Sequence, residues 1–203
     1  RKGLSEDFRL LLKKEFYTLA SLRHPNIVKV HDFATLPDGR SYFTMDFIRG
    51  QPITKAFKGF DRNLYPALIQ VLSALDYIHS KGMIHGDLKP QNILVVTSGG
   101  NKPYAISHKR SVVVLDFGFV EEIGLFSPAA IRGTLGYIAP EVFKGGKADG
   151  RADLYSLGIV LHETLTGKQA FTGRTATEVL RANLEKTLPS PTELDPRIPR
   201  KLG

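Results

Sequence analysis

Two carboxylates, a lysine and an amide stand at spacings that suit chemistry on a phosphate. His85-Gly86-Asp87-Leu88-Lys89-Pro90-Gln91-Asn92 is followed, 24 residues after Asn92, by Asp116-Phe117-Gly118. A carboxylate can take the proton of an attacking hydroxyl, and a lysine can balance phosphate charge. An amide and a second carboxylate offer oxygen ligands to a hard cation such as Mg²⁺. Taken singly, either aspartate is an ordinary turn or cap residue; it is the four side chains at fixed offsets that carry the argument. Apolar runs flank both loops, with Ile93 to Val96 directly after Asn92 and Val112-Val113-Val114-Leu115 directly before Asp116. Short strands there would hold the loops rigidly.

The elements around these loops are predicted from periodicity and punctuation. Residues 5–22 form an amphipathic helix in this reading, with Ser5 as its cap, Glu6 and Asp7 in the first turn, and Phe8, Leu11, Leu12, Phe16 and Leu19 as its apolar stripe. Glu15 lies at the edge of that stripe. Residues 27–35 and 40–48 are rich in Val, Ile, Phe and Tyr and are separated by Pro37-Asp38-Gly39, which predicts a β-hairpin. Gly50-Gln51-Pro52 is expected to break the strand pattern. Leu64, Leu68, Val71, Leu72, Leu75 and Ile78 mark a long helix stopped near Lys81-Gly82.

Thr97 to Ser111, polar and Gly-bearing, reads as an exposed loop inserted into a hairpin of strands 93–96 and 112–115. Residues 151–166 carry apolar side chains nearly all round (Leu154, Leu157, Ile159, Val160, Leu161, Leu165) and so predict a buried helix ended by Gly167. A further helix is expected at 174–185, and residues 189–199 as irregular chain. The fold class is α+β: a small β-containing lobe (1–48) on a larger, mainly helical one (49–203), with a hinge near 46–51.

Composition narrows the function classes. The 203 residues fit one domain with a sizeable core, and 42% hydrophobic with 24% charged residues is ordinary for a soluble protein. No apolar run approaches the length of a membrane span, and the N-terminal residues are not a signal peptide. Zero cysteines excludes disulfides and thiolate metal sites and fits a cytoplasmic setting. Lys and Arg (28) outnumber Asp and Glu (20), giving +8. The basic residues are scattered without interleaved aromatics, so no nucleic-acid platform is expected.

The motifs themselves resemble a known family. His85 to Asn92 looks like the catalytic loop of eukaryotic-type protein kinases, and Asp116-Phe117-Gly118 like their magnesium-binding motif. Gly133-Thr134-Leu135-Gly136-Tyr137 and Ala139-Pro140-Glu141 resemble the end of the activation segment in Ser/Thr-specific members. Asp153-Leu154-Tyr155-Ser156-Leu157-Gly158 is similar to the buried helix behind the catalytic loop. Glu15, followed by Leu22-Arg23-His24-Pro25-Asn26-Ile27-Val28, resembles the helix whose Glu pairs with the ATP-anchoring lysine. The resemblance implies a bacterial-type Ser/Thr protein kinase domain with a two-lobe fold, acting on protein substrates with ATP and Mg²⁺.

The same resemblance implies roles. Asp87 orients the substrate hydroxyl and accepts its proton, Lys89 stabilises the γ-phosphate, and Asn92 and Asp116 hold Mg²⁺. Met45 is the gatekeeper, backbone at Asp46 and Ile48 bonds adenine, and Leu94 is the floor beneath it. Leu19, Val30, His85 and Phe117, anchored by Asp153, form a stacked apolar column, which makes His85 a packed core residue rather than a base. Thr134 bonds Asp87 and Lys89. Glu141 pairs, in the family, with an arginine of a late helix.

Three departures qualify this. No glycine-rich phosphate loop or following strand lysine is found in these residues, and Lys13 and Lys14 share Glu15's own helix and cannot take that lysine's place. The expectation is therefore a fragment cut at both ends from a larger multidomain protein, binding ATP poorly on its own. Gly86 replaces the arginine that in the family pairs with an activation-segment phosphate, so control by that phosphate is expected to be weak. Finally, His-Gly-Asp also occurs in small-molecule phosphotransferases, but Ala139-Pro140-Glu141 and Lys89 favour a protein substrate. A pseudokinase-type binding module is the remaining alternative, opposed by the intact Asp87, Lys89, Asn92 and Asp116.

Overall fold

The computed structural model describes residues 2–96, 111–116, 121–122, 133–146 and 148–200. Helix α1 (Lys2–Ser21) opens the chain. It starts earlier than the sequence predicts, so Ser5 lies within the helix and is not its cap. Of the expected stripe, Leu19 is buried and Phe16 packs its ring on Phe33 and Phe43, whereas Leu11 is exposed.

Strands β1 (Val30–Thr35) and β2 (Ser41–Met45) form the antiparallel hairpin, in register Phe33↔Phe43 and Thr35↔Ser41. The turn closes through Leu36 N to Arg40 O at 2.7 Å, and Gly39 takes the positive φ of +87° that a side chain would resist.

Gly50–Pro52 does not break the sheet as expected. It is a third strand, β3, antiparallel to β5 (Ile93–Val96) with Gly50 opposite Val96. The glycine is what permits the pairing, since a Cβ there would sit 2.7 Å from the Val95 carbonyl oxygen. Short α2 (Ile53–Ala56) leads to α3 (Leu64–His79), then β4 (Met83–Ile84) and a 3₁₀ turn at Pro90–Asn92. Strand β6 (Val112–Val114) pairs with β5 to complete a three-stranded sheet, and β7 (Glu121–Glu122) pairs with β4. The expected loop 97–111 falls almost wholly outside the described residues.

After α4 (Pro140–Phe143) comes α5 (Gly150–Thr166), capped by the Asp149 carboxylate accepting from Arg151 N–H and closed by Gly167 at φ +67°. Its burial is only partly apolar. Leu154 is 48% exposed, while Asp153, Ser156, His162, Glu163 and Thr164 lie inside. Helices α6 (Ala176–Glu185) and α7 (Pro191–Leu194) follow, the second inside the stretch expected to be irregular.

One hydrophobic cluster runs from Leu19, Val28 and Val30 through Val71, Leu75, Ile93 and Val113 to Val160 and Leu165. It packs α1, α3, the central sheet and α5 into a single core. Buried Asn26 stitches it together: its amide donates to Gln70 Oε1 (3.0 Å) and Val112 O (2.8 Å), while Val112 N donates to the same Gln70 oxygen (3.0 Å). Removing that amide leaves the Val112 carbonyl without this buried donor. Asn26→Ala should lower the unfolding free energy by about 1–3 kcal/mol, read from urea denaturation. A variant as stable as the parent would show that water replaces the amide.

Candidate active site

The loop His85 to Asn92 is held from behind by one buried carboxylate. Asp153 sits in the first turn of α5 and is 1% exposed. Its Oδ2 accepts from His85 N (2.8 Å) and His79 Nε2 (2.7 Å), and its Oδ1 from Gly86 N (3.0 Å). Two consecutive backbone amides are thereby fixed to a helix terminus, and Gly86 adopts φ +77° between them. His85 is fully buried, accepting from Asp87 N at Nδ1 (3.3 Å) and, through Nε2, donating to Leu115 O (3.0 Å). Both ring nitrogens are thus engaged within the fold, as expected of a packed interior residue.

Asp87 emerges from this anchored backbone almost buried. Its Oδ1 accepts from Thr134 N (2.8 Å) and Thr134 Oγ1 (2.9 Å), and its Oδ2 accepts from Lys89 Nζ. Lys89 Nζ also reaches Thr134 Oγ1 at 3.1 Å. Asn92 donates from Nδ2 to Asp87 O (2.9 Å), and its own carbonyl receives Leu115 N (2.8 Å). That last bond ties the loop to the chain carrying Asp116. Asp87, Lys89, Asn92 and Thr134, expected to act together, therefore form one connected group. A carboxylate has about four acceptor positions, and three of these are filled, so a hydroxyl can still approach.

Asp116 is exposed at the end of β6, in the left-handed region at φ +57°, a conformation that a non-glycine residue holds only when its surroundings enforce it. Glu15, reaching in from α1, feels it: burial first, and then the Asp116 charge, raise the Glu15 pKa to about 7. Met45 ends β2, half exposed; Asp46 donates N–H to Lys29 O (2.9 Å) and accepts from His31 at 2.7 Å. Ile48 is partly buried against the main core, and Leu94 of β5 is partly buried. Leu19, Val30 and His85 of the expected column are buried, whereas Phe117 and Gly118 lie outside the described residues.

Sequence reasoning missed the polar supports. Beyond Thr134, Tyr137 OH donates to Glu163 Oε2 (2.9 Å), whose other oxygen accepts from Ala170 N (3.0 Å). His79, the last residue of α3, is a further such support through its bond to Asp153. The available signal was a His or Glu inside otherwise apolar helices, since a buried polar side chain needs a partner.

The raised Glu15 pKa has a consequence for stability. Between pH 4.5 and about 7 the folded chain keeps a proton on Glu15 that the unfolded chain has lost, so stability falls as pH rises across that window. Glu15→Gln should flatten the fall, as measured by melting temperature against pH. An unchanged slope would assign the proton elsewhere.

Comparison with known proteins agrees with this geometry. The protein kinase domain family matches residues 5–201. Among curated relatives, the chain is 37% identical over 201 residues to the serine/threonine-protein kinase PknJ of Mycobacterium tuberculosis, covering 95% of this chain and 32% of that protein. It is 33% identical over 197 residues to the probable serine/threonine-protein kinase PknB of Lactococcus lactis, covering 94% and 30%. With RqkA of Deinococcus radiodurans, a DNA damage-responsive serine/threonine-protein kinase, identity is 34% over 206 residues, covering 97% and 29%. The chain thus spans about 30% of the length of such relatives. No helix among the described residues is long and apolar enough to cross a membrane. A carboxylate pinned by α5, bridged to a lysine two residues on and to a threonine from a second segment, belongs with these matches: the chain is a member of the protein kinase domain family.

Proposed function

We propose that this chain is the catalytic domain of a larger bacterial-type Ser/Thr protein kinase, moving the γ-phosphate of ATP to protein hydroxyls. The observation that carries the reading is the bridge Asp87–Thr134–Lys89. It supports a place where a hydroxyl meets a base on one side and a cation on the other. Asp87, its Oδ1 steadied by two donors from Thr134, accepts the hydroxyl proton at Oδ2, where Lys89 leaves one acceptor position open, as the oxygen attacks phosphorus and ADP departs. Lys89, within reach of both, balances charge on the transferring phosphate. The bond from Asn92 Nδ2 to Asp87 O turns the amide oxygen the other way, where it and the exposed Asp116 carboxylate offer hard oxygen donors.

That donor set fits Mg²⁺, a hard cation bound through few protein oxygens together with substrate phosphates. When bound, Mg²⁺ would neutralise charge on the phosphates. The backbone at Asp46 and Ile48, with Met45 and Leu94 on either side, would receive adenine. Relatives named as serine/threonine-protein kinases support the hydroxyl class, and Lys89 two residues after Asp87 agrees with them. ATP as donor and the lack of cysteine support a cytoplasmic site of action.

In the full-length protein, Asp87→Asn should lower kcat by roughly 10²-fold or more, the scale of a general base. Asp116→Asn should raise the Mg²⁺ concentration required and also depress the rate. Turnover at parental level in both would refute the assignment. Gly86 offers no side chain to pair with a phosphorylated activation segment; of the hydroxyls between Gly118 and Ala139, Ser127, which lies outside the described residues, is the one with no structural role expected, so Ser127→Ala should leave the rate of peptide phosphorylation within about twofold of the parent. Loss of activity in that variant would show that phosphate control operates through some other cation.

A further inference from the structure

Asn183 is a buried polar residue in α6, an otherwise amphipathic helix, and no catalytic contact explains it. It is 4% exposed. Its Nδ2 donates to two backbone carbonyls, Leu135 O at 2.9 Å and Ile138 O at 3.0 Å. Its Oδ1 accepts from Tyr155 OH at 2.8 Å, so a residue of α5 sets which way the amide faces. All three of these hydrogen bonds are consistent with one orientation of the amide only, with nitrogen toward the loop and oxygen toward the tyrosine.

The clamped segment begins one residue after Thr134, whose hydroxyl touches both Asp87 and Lys89. A substrate hydroxyl held between Asp87 and Lys89 would bring its flanking residues beside the exposed Thr134 and half-buried Leu135, with Gly136 to Ile138 buried behind them. Val179, one turn before Asn183 on α6, lies beside Gly136 in the same stretch. The helix thus holds this ledge by an apolar contact and by a two-carbonyl clamp. The opposite side of the segment is fixed to α5 by Ser156 Oγ donating to Tyr137 O at 2.7 Å.

We propose that Asn183 is a positioning residue for the protein substrate, its amide clamping Leu135 and Ile138 so that the ledge beside Thr134 is preformed for peptide. The proposal rests on the protein-kinase reading above. The hydrogen bonds of the clamp go to Leu135, Ile138 and Tyr155 and to none of Glu15, Asn92 and Asp116, so its effect is expected on the peptide side of the reaction rather than on ATP.

The test uses the full-length kinase with a generic basic protein and ATP as substrates. Asn183→Asp keeps the acceptor for Tyr155 but sets a carboxylate oxygen against two carbonyls. Tyr155→Phe is the milder variant, removing only the hydroxyl that orients the amide. The expected result is a KM for the protein substrate raised about tenfold in Asn183→Asp and less in Tyr155→Phe, the scale of one lost buried hydrogen bond, with KM for ATP unchanged. The double variant should be little worse than Asn183→Asp alone, as for residues acting through one contact. Amide hydrogen exchange at residues 134–139 should quicken in both variants. A parental protein KM, or KM for both substrates rising together, overturns the proposal. If the parent kinase transfers no phosphate to any protein, the functional reading falls instead, and the clamp is then decided by exchange at residues 134–139 alone, unchanged protection there overturning it.

Discussion

The Asp153 carboxylate is the constraint on which the site depends. A buried charge is tolerated only when hydrogen bonds replace its lost hydration, and here the replacements are the amides of His85 and Gly86 and the ring of His79. The electrostatic need of one residue therefore dictates the path of the chain two residues before Asp87. His85 extends the same logic, joining Asp87 N–H on one ring nitrogen to the Leu115 carbonyl on the other. The base and the residue preceding Asp116 thus share a support. That support is the interior of α5 and β6, whose packing leaves little freedom.

Around this fixed point the charges are arranged unevenly. Asp87 is surrounded by donors, two from Thr134 and one from Lys89. Glu15 and Asp116 show the opposite arrangement, two carboxylates close enough that the second helps to raise the pKa of the first. No ion pair to Glu15 occurs among the described residues. A positive charge near both would favour their ionised forms.

Thr134 connects the two halves of the problem. Its hydroxyl and amide join Asp87 and Lys89, and the backbone that follows is the segment proposed as a ledge for peptide. Polar side chains from two helices hold that ledge: Glu163 and Ser156 of α5 through Tyr137, and Asn183 of α6 through Leu135 and Ile138. Hydrogen bonds from rigid helices to loop backbone give an irregular segment a defined shape without regular secondary structure of its own.

Much of this was legible in the sequence because it is local. The hairpin over Pro37-Asp38-Gly39, the helix from Leu64, the strands either side of 97–110 and the stop at Gly167 follow from turn chemistry and apolar spacing alone. The proximity of Asp87, Lys89 and Asn92 follows likewise, since they lie within one turn-rich loop. Ser5 was misread because the helix extends beyond the residue with the best capping chemistry. Strand β3 was misread because Gly50 and Pro52 signal a break locally, while pairing with Val95 and Val96 is a long-range event that needs the bare glycine.

Tertiary structure decided what no spacing encodes: that Thr134 lands on Asp87, that Asp153 points its carboxylate at residues 85 and 86, and that Asn183 faces two carbonyls some 45 residues earlier in the chain. Such contacts are set by how helices pack, and packing depends on the whole core at once. The sequence determined which chemical groups the protein possesses and which loop carries them, and only the fold determined which groups touch, because a hydrogen bond is a matter of distance in space.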